Sequence, residues 1–442
     1  MAKQMKESGI DWIKDIPSSW EINKVKYLAT EPGTLFLDGD WIESDVIEES
    51  GIRYLTTGNV GAGFYKEQGS GYISEKTFSE LHCLNVYPGD LMISRLNEPI
   101  GRACIIPDTE SRYVVAVDNV ILRPNANYNK KFIMYGMNAD GYAEHANMIA
   151  RGATMSRISR SQLGQFWLAF PNIEEQQVIA DFLDKECAQI DSIAADLGKQ
   201  IELLQQYKKS LITETVTKGL NKSVPMKDSG IDWIGKIPEH WDVEPIKYRV
   251  TFHNGDRGEN YPSKSELQSE GIPFINAGHL EGDGLNMDNM DYISEEKYRI
   301  MGGVKLRSGD ILYCLRGSVG KNAIVDMNQG AVASSLVAIR SVRISAKYLY
   351  YCLNSHIEEV QRYLWDNGTA QPNLSADNLG KYKICIPPVE EQMTIVEYLN
   401  NICSQIDNLI IGKRKQLSTI QQHKKSLIYE YVTGKKRVKE VR

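Results

Sequence analysis

The sequence predicts a mixed α/β (α+β) protein built twice: two strand-rich globular domains separated by two long antiparallel coiled-coil helices, in an internal pseudo-two-fold duplication. Three observations predict it. Pro171–Lys218 carries Leu183, Ile190, Leu197, Leu204 and Leu211 at an unbroken seven-residue spacing, with Ile179, Ile193 and Tyr207 filling part of a second row. That is a coiled-coil stripe that needs a partner helix. The partner lies 216 residues downstream: Glu174–Thr217 and Glu390–Thr433 share 21 identities in 44 positions without a gap. The openings of the two halves, Met5–Tyr27 and Met226–Tyr248, share 13 identities in 23. A repeat of this length makes the chain a duplication.

The elements follow in order. Residues 1–168 hold the opening loop and the first domain. The first helix spans 169–220, and a linker with the second opening spans 221–240. The second domain spans 241–384, the second helix 385–434, and a basic tail 435–442. In the openings, Gly and the I-P junctions predict loop with short extended pieces, pinned by Trp12, Trp20, Trp233 and Trp241. The domains match only in patches. YISE recurs at Tyr72–Glu75 and Tyr292–Glu295, and the hairpin-like Pro88–Asp108 matches Ser308–Asp326. Short apolar runs at Leu91–Ile93, Ala103–Ile106 and Val114–Val117, between Gly and Pro turns, predict strands of a curved sheet. Tyr128–Met137 and Ala346–Trp365 read as helical. The turn-rich stretches Arg151–Gly164 and Asn367–Gly380 then lead through a short strand into each long helix. Pro171 and the acidic pair Glu174-Glu175 suit a helix start. The second seam carries Leu399, Ile406, Ile420 and Leu427, with Lys413 breaking it where the first has Leu197. Gly198 and Gly412 predict looseness near mid-helix.

Linker length sets direction. Each helix is about 66 Å long at 1.5 Å per residue. A parallel pair requires the linker to run back that whole length, whereas an antiparallel pair lets it stay short. The first opening loop then lies at the end of the second helix.

Composition excludes several classes. The formal charge is −6, so there is no general basic coat, though a local basic groove is allowed. The first residues are charged and no apolar run approaches the roughly 20 residues of a membrane span. Seven cysteines without a C-x-x-C pair suit reduced, structural thiols in a cytoplasm. There is no Asn/Asp-Pro-Pro-aromatic loop of an adenine methyltransferase. Gly317–Asn322 has the wrong spacing for a phosphate loop. The histidines show no metal-ligand pairing. These absences favour a binding subunit over an enzyme acting alone.

The ordered set, found twice, resembles the type I restriction–modification specificity subunits. It comprises the P-x-x-E-E-Q and K-K-S-L-I helix signatures, the S-G-I-D-W-I…I-P…W openings, and the stretches Asn254–Ser263 and Asn367–Ser375. The resemblance implies two target recognition domains, each reading half of a bipartite, asymmetric double-stranded DNA site, with the helices as a ruler between them. It implies docking of two methyltransferase subunits and, in the full complex, restriction subunits. S-adenosylmethionine, ATP and Mg belong to those partners, and this chain binds none. The outer faces of the helices, including the repeated pairs Lys208-Lys209 and Lys424-Lys425 and the acidic starts, are the expected docking surfaces.

Lys and Arg on Gly-rich turns supply phosphate contacts, and side chains at base edges supply sequence choice. The candidates in the first domain are Arg95, Asn97, Arg102, Arg151, Arg157 and Arg160. In the second they are Arg257, Asn260, Tyr261, Arg316, Ser318 and Lys321. A coiled-coil scaffold that never touches DNA, and a DNA-modifying enzyme with an unrecognised site, are the alternatives.

Overall fold

The computed structural model describes residues 4–69, 71–97, 99–150, 156–282, 284–365 and 373–438. The chain divides into two compact units, Met1–Leu197 with Lys415–Arg442, and Gly198–Arg414. Both long helices therefore contribute half their length to each unit.

In the first unit, β1 (Met5–Glu7) and β2 (Asp15–Pro17) form the opening hairpin, followed by β3 (Glu21–Lys24). Then come β4 (Leu35–Asp38), β5 (Ile52–Leu55), β6 (Tyr72–Ile73), α1 (Glu75–Glu80), β7 (Leu91–Ser94), β8 (Ala103–Ile105), β9 (Tyr113–Val115) and β10 (Asn119–Arg123). They make two sheets: an antiparallel β4-β10-β7-β8, and β6-β5-β9 with β5 and β9 parallel. Helices α2 (Lys130–Met137), α3 (Asp140–Ile149) and α4 (Arg160–Leu163) follow. Strand β11 (Trp167–Phe170) pairs back on β3 and leads into α5 (Ile173–Lys218).

Strands β7 and β10 carry unbroken apolar runs, Leu91–Ile93 and Val120–Leu122, because both of their faces are covered. Alternate residues point to opposite faces of a strand. Leu91, Ile93, Val120 and Leu122 pack on the helices, while Met92 and Ile121 pack toward Leu55 and Val115 of the other sheet.

The second unit repeats this plan. It comprises β12 (Met226–Asp228), β13 (Lys236–Pro238), β14 (Asp242–Pro245), β15 (Val250–Asn254), β16 (Ile272–Ile275), β17 (Leu280–Glu281), β18 (Gly284–Leu285), β19 (Asp291–Ile293), α6 (Glu295–Ile300), β20 (Ile311–Cys314), β21 (Asn322–Ile324), β22 (Ala331–Val332), β23 (Leu336–Ser341), α7 (Ala346–Leu353), α8 (His356–Trp365), α9 (Ala376–Gly380), β24 (Lys383–Ile386) and α10 (Val389–Val432). Its sheets β15-β23-β20-β21 and β19-β16-β22 match those of the first unit strand for strand, and only the small hairpin β17-β18 is extra. The helical stretch expected at Ala346–Trp365 is two helices. The Asn354 side chain turns back to the carbonyl of Tyr350, and Ser355 to that of Cys352, which closes α7 before α8 begins. The first unit breaks in the same way at Asn138, between α2 and α3, and α3 is an element the sequence reading did not anticipate.

In each unit the halves of α5 and α10 lie antiparallel. Lys424 meets Asp191 at 2.7 Å in the first unit, and Lys208 meets Asp407 at 2.6 Å in the second. The two pairs are equivalent under the 216-residue repeat. Leu183, Ile190, Leu197, Leu399, Ile406 and Leu427 are buried in the seam, and Leu204, Leu211 and Ile420 are half-buried. The second row differs from expectation. Ile193 and Tyr207 are about half exposed (48% and 56%), and the row is Ala180, Cys187, Ala194, Ile201, Lys208 and Thr215. Gly198 and Gly412 sit inside uninterrupted helix.

The P-x-x-E-E-Q glutamines fasten each helix start to its own domain. Buried Gln176 donates to the carbonyls of Pro171 and Asn127 and accepts from the amide of Asn129. Gln392 donates to Pro387 and accepts from the Ser345 amide. The first opening loop does lie at the end of α10. Lys435 donates to the carbonyl of Ile13 at 2.9 Å, and a side chain at Gly434 would strike Pro17 and Trp20.

Candidate nucleic-acid interface

Each four-stranded sheet ends in two loops that bond one shared segment of its edge. The first follows β4 or β15 and reads Asp38-Gly39-Asp40 or Asn254-Gly255-Asp256. A Cβ at Gly39 would sit 2.2 Å from the Val115 carbonyl oxygen, and one at Gly255 would sit 2.1 Å from that of Ala333. Only glycine allows this backbone approach. The following aspartate locks the loop. Asp40 accepts from the Leu84 amide and its main chain bridges to Val115 and Val117. Burial raises its carboxyl pKa, and the Leu84 hydrogen bond partly offsets the rise. Asp256 is buried and accepts from the Gly258 amide at 2.7 Å.

The second loop is the turn of the β7–β8 or β20–β21 hairpin. It is held by the stretch before the long helix. Leu96 bridges to Arg157 in one unit and Arg316 to Asn373 in the other. Both turns also bond a shared segment of the sheet edge. The Arg95 amide donates to the Asp118 carbonyl, and the Leu315 amide donates to that of Ser335. The fold thus joins sequence stretches that the reading nominated separately.

The candidate residues divide by exposure. Asn97, Arg157, Arg257, Asn260, Tyr261, Arg316, Ser318 and Lys321 are exposed. Arg157 and Arg316 have no side-chain hydrogen bond or ion pair among the described residues. A cavity of about 310 Å³ opens between Arg95, Arg157, Ile158, Ser159 and Gln162. The Lys321 amine touches the Ala277 carbonyl at 3.1 Å, Arg257 reaches the Ser334 carbonyl at 3.4 Å, and Asn260 donates to the Ile300 carbonyl. Tyr261 lies edge-on to Phe274. Arg151 lies outside the described residues.

Arg102 departs from its expected role. It is 7% exposed, and its guanidinium donates to the carbonyls of Val60, Leu96, Pro99 and Thr57. Those bonds brace the hairpin turn against the Thr57–Asn59 turn and leave no fork for a base edge. Arg95 is also largely enclosed. It donates to the Val117 carbonyl at 2.7 Å and lies 3.4 and 3.5 Å from Asp38 and Asp118. Arg160 lies 3.3 Å from the same Asp38. Two carboxylates therefore offset two arginines in the first unit. At the equivalent positions the second unit has Leu315, Asn254, Ser335 and Ala376, and no charge.

The docking lysines are likewise engaged within the chain. Lys208 and Lys424 pair with Asp407 and Asp191, while Lys209 and Lys425 pair with Glu359 and Asp140 of their own globular parts. All seven cysteines are buried and free. Among the described residues no group of three or more His, Cys, Asp or Glu is placed to hold a metal, and no helix is long and apolar enough to cross a membrane.

Residues 20–203 and 239–419 match the type I restriction modification DNA specificity domain. The chain belongs to that family. As a type I specificity subunit it is the DNA-recognition component of a restriction system and not a catalyst. It is 28% identical over 376 residues to the putative type I restriction enzyme MjaX specificity subunit of Methanocaldococcus jannaschii, covering 84% of this chain and 83% of that one. It is 22% identical over 445 residues to the EcoBI specificity subunit of Escherichia coli, covering 98% and 90%. A solved chain from work on assembly and conformational transition of the type I R-M system superposes with a TM-score of 0.68 at 14% identity, over 94% of this chain and 98% of that one. At that identity the likeness speaks for the fold.

Trp41 is not among the candidates nominated from the sequence. It follows the locked Gly39-Asp40 pair and is 72% exposed, the most exposed of the seven tryptophans. The signal was the Gly-Asp pair, present after β4 and again after β15, with a different residue after each.

Proposed function

We propose that each unit of this specificity subunit reads one half of a bipartite, asymmetric double-stranded DNA site. The observation that carries this is the repeated junction. The pre-helix stretch clasps the hairpin turn at the same place in both units, yet the side chains offered there differ. A duplicated scaffold with divergent tips suits two readers of different sequences. Arg157 and Asn97 in the first unit, and Arg257, Asn260, Tyr261, Arg316, Ser318 and Lys321 in the second, are the proposed contacts. Arg95 and Arg160 stand behind them as positioned charges, and Arg151 extends the first set in sequence. Phosphate contacts supply affinity and register, and base-edge contacts supply choice.

Two methyltransferase subunits are the proposed partners, with restriction subunits joining them in a cytoplasmic complex. Ile193 and its repeat equivalent Leu409 are exposed on α5 and α10, 48% and 55%. They are better docking points than the lysine pairs, which already have partners. Ile193→Asp and Leu409→Asp are each expected to reduce methyltransferase retention on co-purification.

The main test is Arg316→Ala with Lys321→Ala, co-expressed with the type I methyltransferase subunit that the wild-type chain retains, followed by mapping of methylated adenines. The half-site read by the second unit is expected to relax while the other half holds. An unchanged motif with intact affinity would contradict the assignment. A matched deletion of one or two turns in both long helices is expected to change the spacer or abolish binding.

A further inference from the structure

The loop after β4 and the loop after β15 are pinned alike and tipped differently. In both, a glycine packs against a carbonyl where no Cβ fits. In both, the next residue is an aspartate whose amide bonds the sheet edge, Asp40 to the Val115 carbonyl at 2.7 Å and Asp256 to that of Val332 at 3.0 Å. The residue after that is Trp41 or Arg257. Each tip stands beside the hairpin-turn contact. The Asp40 carbonyl accepts from Val117, whose own carbonyl accepts from Arg95. Arg257 reaches the Ser334 carbonyl, one residue from the carbonyl that takes the Leu315 amide.

Trp41 packs little against its own domain. Among the described residues its indole nitrogen has one polar contact, to the Glu43 carboxylate at 3.5 Å, and 72% of its surface is open. The backbone bonds of Gly39 and Asp40 hold this exposed indole at a fixed place beside the hairpin turn. Arg257 at the same station is also exposed, and its guanidinium lies within ion-pair distance of no carboxylate among the described residues.

We infer that Trp41 and Arg257 are equivalent reading residues with opposite chemistry: Trp41 makes an apolar contact to a base or sugar in one half-site, and Arg257 makes a charged contact to a base edge or phosphate in the other. The inference rests on the proposed reading of one half-site per unit. An indole contact displaces water and no counterion, so its loss does not depend on salt. A cation on a phosphate releases counterions, so its loss does.

The test uses the complex formed with the methyltransferase subunits. Affinity for a duplex carrying the mapped motif is measured from low to moderate salt for Trp41→Ala, Trp41→Phe and Arg257→Ala, alongside motif mapping. Trp41→Ala is expected to lose about tenfold at every salt concentration and to relax one half of the motif. Trp41→Phe retains most of the affinity. Arg257→Ala is expected to relax the other half and to lower the salt slope by about one. Thermal unfolding unchanged in Trp41→Ala excludes a folding defect. Unchanged affinity and motif in Trp41→Ala, a loss that varies with salt, or both variants altering the same half would overturn the inference. A wild-type complex that binds DNA without sequence preference overturns the proposed function itself, and this inference with it.

Discussion

At one station the first unit presents an indole and the second a guanidinium. Beneath that station the contrast continues. The first unit sets Arg95 and Arg160 around Asp38, with Asp118 beside Arg95. The second has no charge at any of those four positions, and places Arg316 and Lys321 on its hairpin turn, where the first has Leu96 and the buried Arg102. The frames that hold these tips are nevertheless the same. Asp90 binds Arg123 through both oxygens at 2.9 and 2.6 Å, and Asp310 binds Arg340 at 2.8 and 2.7 Å. Both carboxylates are buried below the hairpin. The two units keep the buried Asp–Arg frame and diverge at the tips, even where a tip residue such as Arg102 is itself held by backbone carbonyls.

The comparison can be broken most severely at that shared frame. Asp90→Ala and Asp310→Ala each strand an arginine that has lost its carboxylate, at a cost of about 3 kcal/mol. Chemical denaturation should find the two losses alike. A large loss in one unit with a negligible one in the other would contradict a common scaffold. The charge contrast is tested by Asp38→Asn, which places the second unit's residue in the first. Freeing Arg95 and Arg160 is expected to steepen the salt dependence of DNA binding by about one, whereas Asn254→Asp is expected to flatten it.

Smaller effects probe the helices. Lys208→Glu and Lys424→Glu should each cost about 1 kcal/mol in these partly exposed pairs. Asp407→Lys and Asp191→Lys, respectively, should restore most of it in a double-mutant cycle. Gly198→Ala and Gly412→Ala should each stabilise by about 0.5–1 kcal/mol, since a Cβ meets nothing within 4 Å at either site and alanine is the better helix former. The smallest effect concerns Glu266 in the second unit. Hydrogen bonds from Lys297 and from the Ser263 amide and hydroxyl hold its carboxyl at about 2. A depressed carboxylate contributes fully above the unfolded value, near 4.5, and its contribution fades as pH falls toward 2. Titration by carboxyl-carbon NMR should show this midpoint, and Lys297→Ala should raise it.

The duplication, both long helices, the opening loops and the β7–β8 hairpin were legible because each rests on local pattern or on identity between copies. The second seam row was not. Ile193 and Tyr207 look like seam residues by type, but Ala194 and Lys208 occupy it. A lysine fits there because its stem packs and its amine reaches an aspartate on the facing helix. Arg102 looked like a DNA contact because it sits on a glycine-flanked turn. The carbonyls that hold it come from residues 57, 60, 96 and 99, some of them over forty positions away.

Sequence alone determined that the chain is a doubled scaffold with antiparallel helices. Heptad spacing, repeat identity and linker length are properties of the chain itself. Tertiary structure decided which charges are free to meet DNA. Arg95 and Arg160 meet Asp38 only because the sheet register brings distant segments within about an ion pair's reach. Arg157 and Arg316, drawn from the same composition, come to lie at the rim with no side-chain hydrogen bond or ion pair among the described residues.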